Sequence, residues 1–158
     1  MPMKRTDLYE LLGMRENFHG DSFEYEIGSG RSLSGDDAIV KLLDEICVLE
    51  ELNPLKEGWN KIDFEKGSKQ LMNALRFDLA YSTAENMPPE KAQHFHQQIL
   101  ARFNNTDCTC YSNWSKTLWE ENPEAGIGWD PLTDATFDMA IVFVDNMKVV
   151  FTYFTAED

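Results

Sequence analysis

Apolar residues recur along this chain with two periods, which divide it into helical and extended stretches. The clearest helical stretch is 34–52, where Ile39, Leu42, Leu43, Ile46 and Leu49 fall on one face. Ser34 stands where an N-cap belongs, and Asp36 and Asp37 occupy the first turn, where carboxylates interact well with the helix dipole. Asn53-Pro54 ends the stretch. A second helix is predicted from Asp63 to Ser82, with one stripe of Leu71, Met72, Leu75 and Leu79 and another of Ala74, Phe77 and Tyr81. Two stripes imply burial on more than one side, although Gly67 costs the early turns about 1 kcal/mol relative to alanine. A third helix, 89–103, follows Pro88 and carries Ala92, Phe95, Ile99 and Phe103 on one face. Near the N-terminus, Thr6 or Asp7 caps a short helix through Leu8, Leu11 and Leu12 that Gly13 stops.

The extended signals lie at the two ends. Phe23 to Ile27 alternates apolar and acidic residues, the pattern of a half-buried strand with Glu24 and Glu26 on the wet side. Phe137–Val144 and Met147–Phe154 are two β-branched and aromatic runs separated by Asp145-Asn146, a hairpin signature. Both faces of the first run are apolar, so helices must cover one face and something else the other. Between Asn104 and Thr136 the periodicity weakens; Ser112 to Glu121 is read as a short helix and Asn122 to Gly128 as a loop. The expected fold is α+β: three main helices and a short N-terminal one, packed on a small antiparallel sheet containing the C-terminal hairpin. No repeat or linker divides the chain, so residues 1–158 are expected to form one domain.

Composition supports a real core, since 42% of residues are hydrophobic and a domain of this length buries roughly 68–70% of its unfolded surface. Charge narrows the function. There are 28 acidic residues against 14 basic ones, a formal net charge of −14. That sign opposes direct contact with nucleic acid phosphates or an anionic membrane, and favours a basic protein partner. Three cysteines and no signal-like apolar run point to a cytoplasmic protein without a disulfide framework.

Few residues suggest chemistry. His94, His96, Cys108 and Cys110 offer four zinc-ligand types within seventeen residues. Two histidines spaced i, i+2 on a helix point apart, however, and the thiols lack the usual spacer. His96 shares the face of Ala92 and Ile99 and reads as a core or rim residue. The glycine-rich stretch from Gly28 to Gly35 imitates a phosphate loop, but its spacing matches neither nucleotide motif and two aspartates follow it. Asp130, Asp134 and Asp138 have no calcium-loop spacing. No catalytic residue, metal or cofactor is assigned.

One segment is different in kind. Trp114, Trp119 and Trp129 sit among Glu120, Glu121, Asp130 and Asp134, which mixes the anchor residue of binding hot spots with acids that steer a basic partner. These seven residues are the candidate partner-binding set, against the alternative that each tryptophan plugs the core. The expected function is protein binding, in its most concrete form an immunity-type inhibitor that occludes a basic toxin. The alternatives are a small enzyme or zinc protein using His94, His96, Cys108 and Cys110, and an adaptor whose acidity serves only solubility. The oligomeric state is left open.

Overall fold

The computed structural model describes residues 3–28, 33–81, 83–103, 108–116 and 128–157. Its elements in chain order are β1 (Lys4–Asp7), α1 (Leu8–Leu11), β2 (Gly20–Glu26), α2 (Asp36–Leu49), a 3-10 turn (Lys56–Gly58), β3 (Asn60–Ile62) and α3 (Phe64–Arg76). Then come α4 (Pro89–Leu100), β4 (Thr109–Ser112), β5 (Trp114–Lys116), β6 (Gly128–Trp129), β7 (Phe137–Val144) and β8 (Lys148–Ala156). The fold is α+β. Six strands form one antiparallel sheet in the order β1-β2-β8-β7-β4-β3, and β5 pairs with β6 in a separate two-stranded ribbon.

The apolar hairpin explains the layering. Met139, Ile141 and Phe143 of β7 face one core with Leu71 and Leu75 of α3 and Phe95 and Ile99 of α4. Ala140, Val142 and Val144 face a second core with Leu42, Leu43 and Ile46 of α2. Helices therefore cover both sides, and β7–β8 is the middle of a three-layer sandwich. Its turn is held by Asp145, whose Oδ1 accepts from the Met147 and Lys148 amides at 2.7 and 2.8 Å.

Several boundaries differ from expectation, each for a local reason. Gly35 rather than Ser34 occupies the N-cap of α2, at φ +91°, a backbone state that favours glycine. Asp36 is then engaged elsewhere: its Oδ1 accepts from Tyr111 Oη at 2.8 Å and pairs with Lys61 at 3.0 Å. The predicted 63–82 helix ends at Arg76 because Phe77 is extended and Asp78 turns the chain by accepting from the Ala80 and Tyr81 amides. Tyr81 is consequently exposed rather than part of a buried stripe. Gly67, costly for the helix, is required by packing: a Cβ there would lie 2.3 Å from Cys110 Sγ on β4. At the N-terminus Asp7 does cap the short helix, accepting from the Glu10 amide at 3.2 Å.

Two readings are overturned. Ser112 to Lys116 is extended, not helical: β4 pairs with β7 and β5 with β6. Glu24 is not on a wet face; it is 3% exposed, on the α3–α4 side of the sheet. There it pairs with Arg102 just beyond α4, through bonds of 2.9 and 3.0 Å. A carboxylate in an alternating pattern reads as solvated until a distant arginine closes over it.

Candidate functional site

The segment between β6 and β7 is built around a buried aspartate. Asp138, fully covered at the start of β7, accepts from the Leu132 amide at 3.1 Å and the Thr133 amide at 2.9 Å. It also takes the Thr133 hydroxyl at 2.9 Å and Asn113 Nδ2 at 2.8 Å. Asn113 is buried as well, and its Oδ1 accepts from the Ala140 amide at 2.8 Å. This network holds the backbone of Leu132 and Thr133 in a defined shape, with Leu132 in the core, before the chain re-enters the sheet.

Trp114 belongs to that foundation. It is 1% exposed, its indole N–H donates to the Asp138 carbonyl at 2.6 Å, and it stacks on Trp129 at 4.5 Å and 8°. Trp129 stacks in turn on Phe137 at 5.5 Å. Trp114 is therefore part of the core and offers no surface to a partner; Trp129 is half-buried. Asp130 and Asp134 are exposed. Trp119, Glu120 and Glu121 lie outside the described residues.

A tertiary contact extends the acidic surface beyond what local sequence suggests. The Asn53 amide donates to the Leu132 carbonyl at 2.9 Å and Asn53 Nδ2 to the Pro131 carbonyl at 3.3 Å. Asp130 lies so close over Gly58 that a Cβ there would meet its Oδ2 at 2.2 Å. The loop itself is tied to α2 by Asp44, which accepts from the Leu55 amide and Trp59 Nε1, each at 2.9 Å. The result is one edge carrying Glu51, Glu57, Asp130 and Asp134, all exposed and, among the described residues, in no ion pair, together with the exposed Lys56, which lines the same groove as Glu57 and Asp130. Glu51 and Glu57 were missed as candidates. The signal for them was a charge count: residues 34–58 hold seven acids and two bases.

The cysteine and histidine set does not converge. His94 is exposed on α4, while His96 is half-buried with Nε2 at 2.9 Å from Ser68 Oγ and 3.0 Å from the Ser68 carbonyl. A carbonyl only accepts, so Nε2 carries the proton and cannot serve as a base towards Ser68. Burial holds the His96 pKa below its ordinary value, against the opposing effect of that backbone bond. Cys110 is buried under α3 with its thiol pushed up by desolvation, the reverse of an activated nucleophile. No group of three or more metal-ligating side chains occurs among the described residues. No helix there is long and apolar enough to cross a membrane.

Comparison with protein-family models, curated proteins and solved structures returned no match in any of the three.

Proposed function

We propose that the chain is an intracellular protein-binding module, most concretely an immunity-type inhibitor that neutralises a basic toxin by covering its functional surface. The observation that carries this reading is the edge of Glu51, Glu57, Asp130 and Asp134, whose charges are not spent on internal partners among the described residues. An exposed field of one sign raises the rate of encounter with a surface of the other sign and disfavours partners of like charge. Trp129, half-buried at the base of the same segment, supplies amphipathic contact area of the kind that anchors interfaces. The bond network of Asp138 and Asn113 limits the ordering cost of binding at this edge.

The test is capture of the partner from the native host, followed by association kinetics at rising salt. The expected partner is a basic protein whose activity is lost in the complex. Its on-rate falls steeply as ionic strength increases. A neutral or acidic partner, or an on-rate indifferent to salt, defeats the reading.

A further inference from the structure

A cavity of about 460 Å³ opens where the C-terminal end of β8 meets the turn between α3 and α4. Its apolar part is formed by Phe18, Leu79 and Phe154, the two rings packed at 4.6 Å between centroids. Its polar part includes Asp78, Asn86 and Glu157, with His19 also on the lining. No lysine or arginine is among the described residues that line it.

What the polar groups have left to offer decides the ligand. Asp78 spends Oδ1 on the Ala80 and Tyr81 amides, so Oδ2 has no partner among the described residues. Asn86 spends both contacts of Nδ2 on the Phe77 and Ala74 carbonyls, leaving Oδ1 as an acceptor. Glu157 accepts the Thr136 amide at 3.3 Å on each oxygen and also the Thr136 hydroxyl, contacts that leave lone pairs on a full negative charge. The cavity thus combines an aromatic and aliphatic wall with spare acceptors, two of them carboxylates. That combination fits a planar, donor-only cation on an aliphatic stem. A guanidinium matches better than an ammonium because it is less strongly hydrated, presents a fork of N–H groups and lies favourably against rings.

We propose that this cavity receives an arginine side chain of the basic partner. The inference rests on the protein-binding reading above and names a point of insertion for it. Continuity supports the link: Thr136, bonded to Glu157 on the cavity wall, lies two residues from Asp134 on the acidic edge. Asp134 and the cavity thus lie at the same end of the sheet, where β7 begins and β8 ends.

The probe is Nα-acetyl-arginine amide, titrated into the full chain and followed by amide chemical shifts. Acetyl-citrulline amide serves as the isosteric neutral control. The expected result is saturable shifts at His19, Leu79, Asn86 and Thr155 with the arginine probe and none with citrulline. The double variant D78N/E157Q, which keeps the side-chain shape and one acceptor oxygen at each position, should weaken the arginine probe by about tenfold or more. Equal shifts with citrulline, shifts confined to the Glu57–Asp130 edge, or no saturable shifts overturn the assignment; the citrulline comparison needs no variant to fold. Such a failure leaves salt-sensitive binding of a basic protein untouched. Arginine seated in the cavity of a chain that captures no basic protein would remove that reading instead.

Discussion

The sheet is covered by helices on both faces, and the two coverings each bury an apolar core but carry very different charge. Residues 34–58, which contain α2 and the loop after it, hold seven acids and two bases, a net −5. Residues 63–103, which contain α3 and α4, hold five acids and five bases, a net charge of zero. On the α3–α4 side some acids are spent on the fold: Glu24 is closed under Arg102 and Glu85 pairs with Arg76. On the α2 side Asp44 and Asp36 are spent in the same way, yet Glu51 and Glu57 remain and are joined by Asp130 and Asp134. The asymmetry is what the proposed protein-binding reading uses, and it can be attacked from several directions.

The largest effect is expected where a buried acid shapes the acidic edge. Asp138→Ala leaves the Leu132 and Thr133 amides and Asn113 Nδ2 without their carboxylate. Each buried donor that loses its partner costs about 1–3 kcal/mol, so a total loss of about 3–5 kcal/mol is expected by urea unfolding. A loss below about 1 kcal/mol would mean that water replaces the carboxylate and that Leu132 and Thr133 are not held as described.

The matching test on the α3–α4 side is Arg102→Met. It strands Glu24 beneath the helix and should cost about 2–3 kcal/mol, at the low end for a buried pair because the arginine is partly solvated. Replacing both, as E24M/R102M, should recover most of that loss, since the penalty lies in the unpaired charge rather than in the missing attraction. If the double variant is no better than the single one, Glu24 is hydrated and the two faces differ less than their geometry suggests.

These two acids also mark where the sequence was readable. The helices and the hairpin were legible because burial imposes a period, and α2, α3, α4, β7 and β8 each span enough residues to express it. Strands β1, β3, β4, β5 and β6 are two to four residues long, too short to carry a period, so they were missed. The site was legible only in part. A cluster of acids around tryptophans is a local feature, but that Trp114 is core and that Glu51 and Glu57 join Asp130 depends on contacts between residues far apart in the chain. Asp138 and Glu24 read as surface acids because nothing next to them in sequence names the amides or the arginine that bury them.

A smaller, pH-dependent effect should come from His96. Burial lowers its pKa in the folded chain, so the folded state binds fewer protons than the unfolded one between that pKa and the ordinary value of 6.5. Stability from this group is therefore complete above about pH 6.5 and declines as pH falls towards and through the folded pKa. His96→Gln can still donate to the Ser68 carbonyl and should flatten this part of the profile. Comparing the two unfolding curves between pH 5 and 8 separates His96 from the carboxylates, whose contribution is common to both proteins. Identical slopes would show that His96 is solvated in both states.

The smallest effect on stability, and the most decisive one for function, belongs to the acids that hold nothing. The quadruple variant E51Q/E57Q/D130N/D134N preserves side-chain shape, including the close fit of residue 130 over Gly58. It should change unfolding free energy by no more than about 0.5 kcal/mol. Neutralising Glu65 and Glu90, in the first turns of α3 and α4, should cost only the helix-dipole interaction, about 0.3–1 kcal/mol each. The two sets diverge in binding. Removing four charges from the edge should slow association with a basic partner by about tenfold at low salt and flatten its salt dependence, while the control leaves both unchanged. Slowing by both sets in proportion to the charges removed, four against two, would mean that the partner senses net charge alone, and the asymmetry between the faces would then have no role in recognition. Slowing by neither would leave the acidity to solubility. Only a difference between two variants that both stay folded ties the exposed acids to a partner, because it cannot arise from loss of the fold.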